Sequence, residues 1–193
     1  ADPHGPPAEK LAEALAKVGR DGLLVSADRI ALAKHGAGLT LNGIAQGYAT
    51  DRVVDVLRGA GLSTALVDMG EIRALGARPD GTPWQVGLAD ADQPGQLGAA
   101  VAIVDRAVST SSGTGFQFDR AGCFTHLFDP RTGRSPSRYR SVSVIAPTAT
   151  EADALSTAFS LLPPQAVRDI VAARPNLQAQ LVVGQGEIFV YGV

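Results

Sequence analysis

Residues 148–163 read TATEADALSTAFSLLP and combine the pattern of a buried helix with polar residues that such a helix does not require. The second half is rich in Ala, Leu and Phe, which predicts a core helix. Asp153 stands four residues before Thr157, so both side chains lie on one face of that helix. One interpretation is a capping box of Thr150 and Asp153, with the Thr157 hydroxyl bonded to the Asp153 carbonyl. The other is a metal site in which Asp153 and Thr157 offer hard oxygen ligands to Mg²⁺.

The composition predicts a folded domain and argues against several classes of partner. The chain has 193 residues, of which 45% are hydrophobic, enough for a single domain over residues 1–193 with a sizeable core. A net charge of -2 without a strongly basic segment argues against a nucleic-acid partner. No apolar run approaches the roughly 20 residues of a transmembrane helix. Cys123 is the only cysteine, so no internal disulfide can form. The Pro- and Gly-rich start at 1–7, which includes His4, predicts a loop within a longer protein.

Outward from the quoted helix, helices and hairpins alternate in a pattern that predicts an α+β fold with a mainly antiparallel sheet. Further helices are predicted at 8–18, 44–57 and 166–173. Strands are predicted at 23–26, 30–33, 64–67, 84–89, 100–104, 141–146, 181–183 and 188–191, with a loop at 90–98. Phe116, Phe118 and the segment 124–128 suggest one more hairpin, and Trp84, Phe116, Phe118 and Phe128 are predicted to lie in the core.

The second helix starts in a glycine-flanked segment, LNGIAQGY at 41–48. Asn42 is the predicted N-cap, and Gly61 is expected just past the helix end. Free backbone amides at a helix start favour a phosphate, and glycine lets the backbone come close to it. Capping alone also explains the Asn-Gly pair, so the segment by itself leaves both interpretations open.

Two other segments could take part in chemistry. His126 precedes the turn DPRTG and is either a strand-end residue or a general base that works near neutral pH. The hydroxyl-rich segment STSSGTG at 109–115 could bind phosphate through amides and hydroxyls, or be a plain loop.

Five segments together, in this order, resemble the FAD:protein FMN transferases (the ApbE-type flavin transferases): LNGIAQGYATDRV, GEIRALG, AVSTSSG, THLFDPRTG and SVIAPTATEADALSTA. The resemblance runs from about Val18 to the end of the chain. It implies a T-fold-like α+β architecture that binds FAD and Mg²⁺. The implied reaction moves FMN from FAD onto a Thr or Ser hydroxyl of an acceptor redox flavoprotein and releases AMP. The resemblance also implies an extracytoplasmic, for example periplasmic, location.

The resemblance assigns roles by position in the motifs. Asp153 and Thr157 match the metal-binding Asp and Thr, and Gly43 matches the residue whose carbonyl completes the metal site. His126 matches a histidine placed near the pyrophosphate that aids proton transfer. Thr40, Gln46 and Leu127 are the implied FAD contacts, because they match positions that touch FAD or replace family residues beside it.

The chain also departs from the family pattern. The family's motif at the start of this helix reads Asp-Leu-Gly-Gly-Ile-Ala-Lys-Gly. In this chain Thr40 replaces the Asp of that motif, and Gln46 replaces its Lys. Family members carry further N-terminal residues, so this chain is expected to be the C-terminal portion of the usual length. Two alternatives follow from these departures. One is an FAD-binding or flavin-supplying protein without transferase activity, and the other is a structural or partner-docking domain that binds no flavin.

Overall fold

The computed structural model describes residues 5–89 and 97–192. His4 and most of the loop predicted at 90–98 lie outside the described residues. The described part is an α+β fold, as predicted. Its helices are α1 (Ala8–Leu15), α2 (Ala45–Gly59), α3 (Ala149–Phe159) and α4 (Pro164–Ala172). Its strands are β1 (Leu23–Val25), β2 (Ile30–Leu32), β3 (Ala65–Asp68), β4 (Ile72–Leu75), β5 (Trp84–Ala89), β6 (Leu97–Ile103), β7 (Ala107–Ser111), β8 (Tyr139–Ala146), β9 (Gln178–Val183) and β10 (Ile188–Tyr191).

A six-stranded antiparallel sheet in the order β10-β9-β8-β7-β4-β3 forms the centre of the fold. Strand β8 is buried on both faces, because residues 141–146 are all buried. Alternate residues of a strand point to opposite faces, and Val144 packs in a cluster with α3 and α4. Ile145 packs instead against the β5–β6 hairpin. The sheet therefore lies between a helical layer and a two-stranded hairpin.

Helix α3 is the core helix that its sequence predicts. Phe159, Ala149 and Ala152 are fully buried against β7 and β8, in the same cluster as Val167 of α4. Helix α2 packs beside α3 and covers β3 and β4 through a separate cluster of Val54, Val67 and Leu75. The two helices that carry the predicted site therefore lie side by side on one face of the sheet.

The ends of α2 agree only in part with the prediction from sequence. Gly61 follows the helix with a positive φ of 86°, and the amide of Leu62 donates to the carbonyl of Leu57, which confirms the glycine stop. The predicted cap Asn42 is wrong. Ile44 is the N-cap residue and provides no side-chain cap. The chain turns between 40 and 44, where the amide of Asn42 donates to the Thr40 hydroxyl, so the helix begins later.

Three other predictions need correction. The segment 109–115 is not a plain loop, because its first residues belong to β7 and pair with β8. The predicted hairpin around Phe116 reduces to one bridge, between Gln117 and Thr125. Phe116, Phe118 and Phe128 are not core residues: between 46% and 58% of each is exposed, and they contact one another. Trp84 does pack against the hairpin core. No described helix is long and apolar enough to cross a membrane.

Candidate functional site

The starts of α2 and α3 hold each other through two buried carboxylates. Asp153 of α3 accepts a hydrogen bond of 2.9 Å from the amide of Gly47, in the first turn of α2. Asp51 of α2 accepts hydrogen bonds of 2.9 Å from the amides of Ala149 and Thr150, in the first turn of α3. The first amides of a helix have no partner within the helix, so each helix supplies an acceptor for free amides at the start of the other.

This arrangement overturns the predicted capping box of Thr150 and Asp153. The N-cap of α3 is Thr148, whose hydroxyl accepts from the amide of Glu151 at 3.2 Å. Thr150 is already inside the helix, and its hydroxyl donates to Asp51. Asp153 lies beyond the first turn and points across to Gly47. Its carboxylate is therefore a contact between helices rather than a local cap.

Two glycines, Gly43 and Gly47, allow α2 and the segment before it to lie close to α3. A Cβ atom on Gly47 would lie 2.3 Å from the carbonyl oxygen of Ala149 and 2.8 Å from the Cβ of Asp153. A Cβ atom on Gly43 would lie 3.4 Å from the hydroxyl oxygen of Thr157. Any side chain at position 47 would push the helices apart. The glycines of this segment therefore bring its backbone against α3.

A cavity of about 500 Å³ opens where these elements meet, and we call it the central cavity. All the residues predicted for the site line it: Thr40, Gly43, Gln46, His126, Leu127, Asp153 and Thr157. Glu71, Thr110, Ser111 and Ser112 line it as well. The five sequence segments that contribute these residues are far apart along the chain, and the fold brings them together at one place.

A row of hydroxyl groups borders the cavity. The Thr157 hydroxyl lies 3.3 Å from that of Ser111, which lies 2.8 Å from that of Ser156, and Ser156 lies 3.0 Å from Ser109. The alternative in which Thr157 bonds to the Asp153 carbonyl is wrong, because the partner of the Thr157 hydroxyl is Ser111. The hydroxyl that donates to the Asp153 carbonyl is that of Ser156, at 3.0 Å. The Thr157 hydroxyl thus faces the cavity with only a weak partner.

Two buried carboxyl groups give the cavity an excess of acceptors. Burial, with the charges of Asp153 and Asp68, raises the pKa of Glu71 to about 7, against a hydrogen bond from Ser109 that lowers it. Burial also raises the pKa of Asp153, and the amide of Gly47 opposes this. Both shifts show that negative charge is costly here. A divalent cation at this place would relieve that cost.

Glu71 and Asp51 were not singled out from the sequence. Glu71 lies in GEIRALG, one of the five segments that carry the resemblance, and that match is the signal that could have drawn attention to it. Asp51 lies in the middle of a helical pattern, and nothing local shows that it caps a helix almost a hundred residues away.

The donors around the cavity fit Mg²⁺. Among the described residues no three His, Cys, Asp or Glu side chains form a group that could hold a metal ion. By the positions that the resemblance assigns, a cation here could take one carboxylate from Asp153, the hydroxyl of Thr157 and the carbonyl of Gly43, all of which line the cavity. These are all oxygen donors, the set that Mg²⁺ prefers, and Mg²⁺ usually completes its shell with water and substrate phosphate. Asp153 uses Oδ2 for Gly47, which leaves Oδ1 for the metal.

His126 is exposed at the edge of the cavity. Its Nδ1 lies 3.3 Å from the carbonyl oxygen of Phe116. A carbonyl can only accept, so this contact requires the proton on Nδ1 and leaves Nε2 as the acceptor. In that tautomer the ring can take a proton from a ligand through Nε2.

An α+β fold with hard oxygen donors, a helix start and a histidine around one cavity could hold a phosphorylated ligand together with a divalent cation. The chain belongs to the ApbE family, whose model matches residues 1–181. It is 32% identical over 154 residues to the FAD:protein FMN transferase of Escherichia coli strain K12, covering 77% of this chain and 43% of the relative. It is 38% identical over 156 residues to the enzyme of that name from Treponema pallidum, covering 74% of this chain and 43% of the relative.

Solved structures share the fold. The ApbE protein of Thermotoga maritima superposes with a TM-score of 0.87 at 30% identity, covering 97% of this chain and 62% of the other. The apo form of the flavinyl transferase ApbE of Pseudomonas stutzeri gives a TM-score of 0.78 at 32% identity, covering 97% and 58%. The chain therefore spans less than half the length of the two sequence relatives above and about three fifths of these structures.

Proposed function

We propose that the chain transfers FMN from FAD to a Thr or Ser hydroxyl of an acceptor redox flavoprotein, with Mg²⁺, and releases AMP. The observation that carries this proposal is the convergence of Gly43, Asp153, Thr157 and His126 on one cavity. The names of the relatives, FAD:protein FMN transferase, support the reaction class. The reaction breaks the diphosphate bond of FAD and joins the FMN phosphorus to the acceptor oxygen, while AMP leaves with the other phosphate.

In this proposal each group at the cavity has one task. Mg²⁺, when bound by Asp153, Thr157 and the Gly43 carbonyl, neutralises charge on the phosphoryl oxygens and orients them. Gln46 and Thr40 contact FAD as uncharged groups in place of the family's Lys and Asp. Leu127 is buried and gives the ligand an apolar wall. A phosphate near the start of α2 is also favoured by the helix dipole.

His126 receives the proton of the acceptor hydroxyl in this proposal. The contact of Nδ1 with the Phe116 carbonyl fixes the tautomer that leaves Nε2 free. The ring is exposed, so an acceptor protein can bring its Thr or Ser to it. General base catalysis of this kind contributes about 100- to 10,000-fold in rate.

The direct test is to incubate the protein with FAD, Mg²⁺ and a flavoprotein acceptor that carries a target Thr, and to measure the intact mass of the acceptor. We expect a gain equal to FMN, with AMP formed in equal amount and both abolished by EDTA. Asp153→Ala should lose transfer, and full transfer by that variant would refute the metal site. An acceptor whose target Thr is replaced by Val is the matched negative control.

A second candidate is an FAD-binding or flavin-supplying protein that does not transfer FMN. The neutral Thr40 and Gln46 favour it, because they remove a carboxylate and a cation from the ligand's surroundings. The same assay separates the two functions: FAD retained on the protein without AMP release would support the second. Equilibrium dialysis that shows no FAD binding with or without Mg²⁺ would exclude both. The resemblance also leads us to propose an extracytoplasmic location.

A further inference from the structure

Asp51 connects three elements next to the central cavity without lining it. Its carboxylate accepts from the amides of Ala149 and Thr150 and from the Thr150 hydroxyl, all at the start of α3. It also pairs with Arg73 of β4, at 2.5 Å between Oδ1 and Nη1. Asp51 is 5% exposed. One buried side chain therefore ties α2, α3 and β4 together.

We propose that Asp51 is a positioning residue of the metal and flavin site, because it fixes where the start of α3 lies relative to α2. The inference rests on the proposed function for the identity of the ligands. Asp153 and Thr157 lie one and two turns after the amides that Asp51 holds, and the Gly43 carbonyl lies just before the helix that carries Asp51. The separation of the donors from the two helices thus depends on this contact, and partners that orient metal ligands commonly change metal affinity 10- to 100-fold when removed.

The charge of Asp51 suits this task. Burial alone raises its pKa, but the hydrogen bonds from Thr150 and Ala149 and the charge of Arg73 outweigh burial and lower it. The group is therefore ionised at neutral pH and can accept from several donors at once. An Asn at this position offers one acceptor oxygen, and its NH₂ group would face a backbone N–H or the Arg73 guanidinium. The start of α3 must then shift or leave a buried donor unpaired.

The test compares Asp51→Asn with Val54→Ala, a change in the same helix. Val54 is fully buried and packs against Val67 and Leu75, in a cluster that contains no residue of α3. Both variants are expected to lower the urea midpoint. The two readouts are the affinity for Mn²⁺ in the presence of FAD, measured by titration, and the hydrogen exchange of the Gly47 amide in the metal-free protein, measured by NMR.

We expect Asp51→Asn to weaken Mn²⁺ binding about 10- to 100-fold and to speed exchange at Gly47, while Val54→Ala leaves the affinity within about twofold. Equal affinities for Asp51→Asn and the wild type, or equal losses in both variants, would overturn the inference. If the wild type binds no Mn²⁺ with FAD, the proposed metal site fails. The exchange at Gly47 then still decides the positioning role, and unchanged protection in Asp51→Asn would reject it.

Discussion

Replacing Glu71 with Gln removes a buried carboxyl group from the lining of the central cavity, and we expect this change to stabilise the protein at alkaline pH. Burial and the charges of Asp153 and Asp68 raise the pKa of Glu71 from 4.5 to about 7. The folded protein therefore holds this proton more tightly than the unfolded chain does. Stability falls as pH rises between these two values, because ionisation then costs the folded state more.

The magnitude follows from the width of that pH range. Each pKa unit corresponds to about 1.4 kcal/mol, so ionised Glu71 costs up to about 3 kcal/mol above pH 7. Part of this cost is already present at pH 5, because in the unfolded chain Glu71 has its ordinary pKa of 4.5 and is partly ionised at that pH. We expect the advantage of Glu71→Gln over the wild type to grow by about 2 kcal/mol between pH 5 and pH 8.

Urea denaturation of both proteins at these two pH values, with EDTA present, measures this quantity. The comparison cancels the titration of groups that the two proteins share. Gln retains a carbonyl oxygen that can accept from the Ser109 hydroxyl, so the local contact is kept. An advantage that is the same at both pH values, or a variant that is less stable than the wild type only at pH 8, would refute the reasoning.

Three other changes test the site. Gly47→Ala should destabilise the protein by about 1 to 3 kcal/mol, because its Cβ would meet the Ala149 carbonyl at 2.3 Å. Gly59→Ala in the same helix meets nothing within 4 Å and should be neutral or stabilising, so equal thermal shifts for the two glycines would contradict the close approach. His126→Asn should slow FMN transfer about 100- to 10,000-fold and leave Mg²⁺ affinity unchanged, and an unaltered rate in a single-turnover assay would remove the histidine from the mechanism. Asp153→Ala should lose Mg²⁺-dependent transfer and about 1 kcal/mol of stability, since the Gly47 amide loses its cap, and calorimetric titration with Mg²⁺ should show no binding.

The sequence predicted those elements whose signals are local. The apolar pattern of α3, the strand at 141–146 and the glycine stop after α2 all agree with the structure. Each depends on neighbours within one helix or strand, where periodicity and turn chemistry operate.

Other features depend on contacts across long sequence separations, and these were missed or misassigned. Asn42 is a residue type typical of N-caps, but the first amides that it would cap bond to the Leu41 carbonyl. The Gly47 amide, further along, donates to Asp153, 106 residues away. The hydroxyl-rich residues of β7 resembled a loop because Ser is common in turns. In the structure the Thr110 hydroxyl contacts that of Ser143 in β8, and the Ser109 hydroxyl contacts that of Ser156 in α3. The site residues were predicted through the order of five motifs, since no single one of them distinguishes capping from ligand binding.

The central claim is that the starts of α2 and α3 together hold a divalent cation on the diphosphate of FAD. Crystals grown with FAD and Mn²⁺ test it most directly through the anomalous difference map. We predict a peak within coordination distance of Asp153 Oδ1, the Thr157 hydroxyl and the Gly43 carbonyl, next to the FAD phosphates. A map in which FAD is bound but the manganese peak lies away from these three atoms would contradict the account.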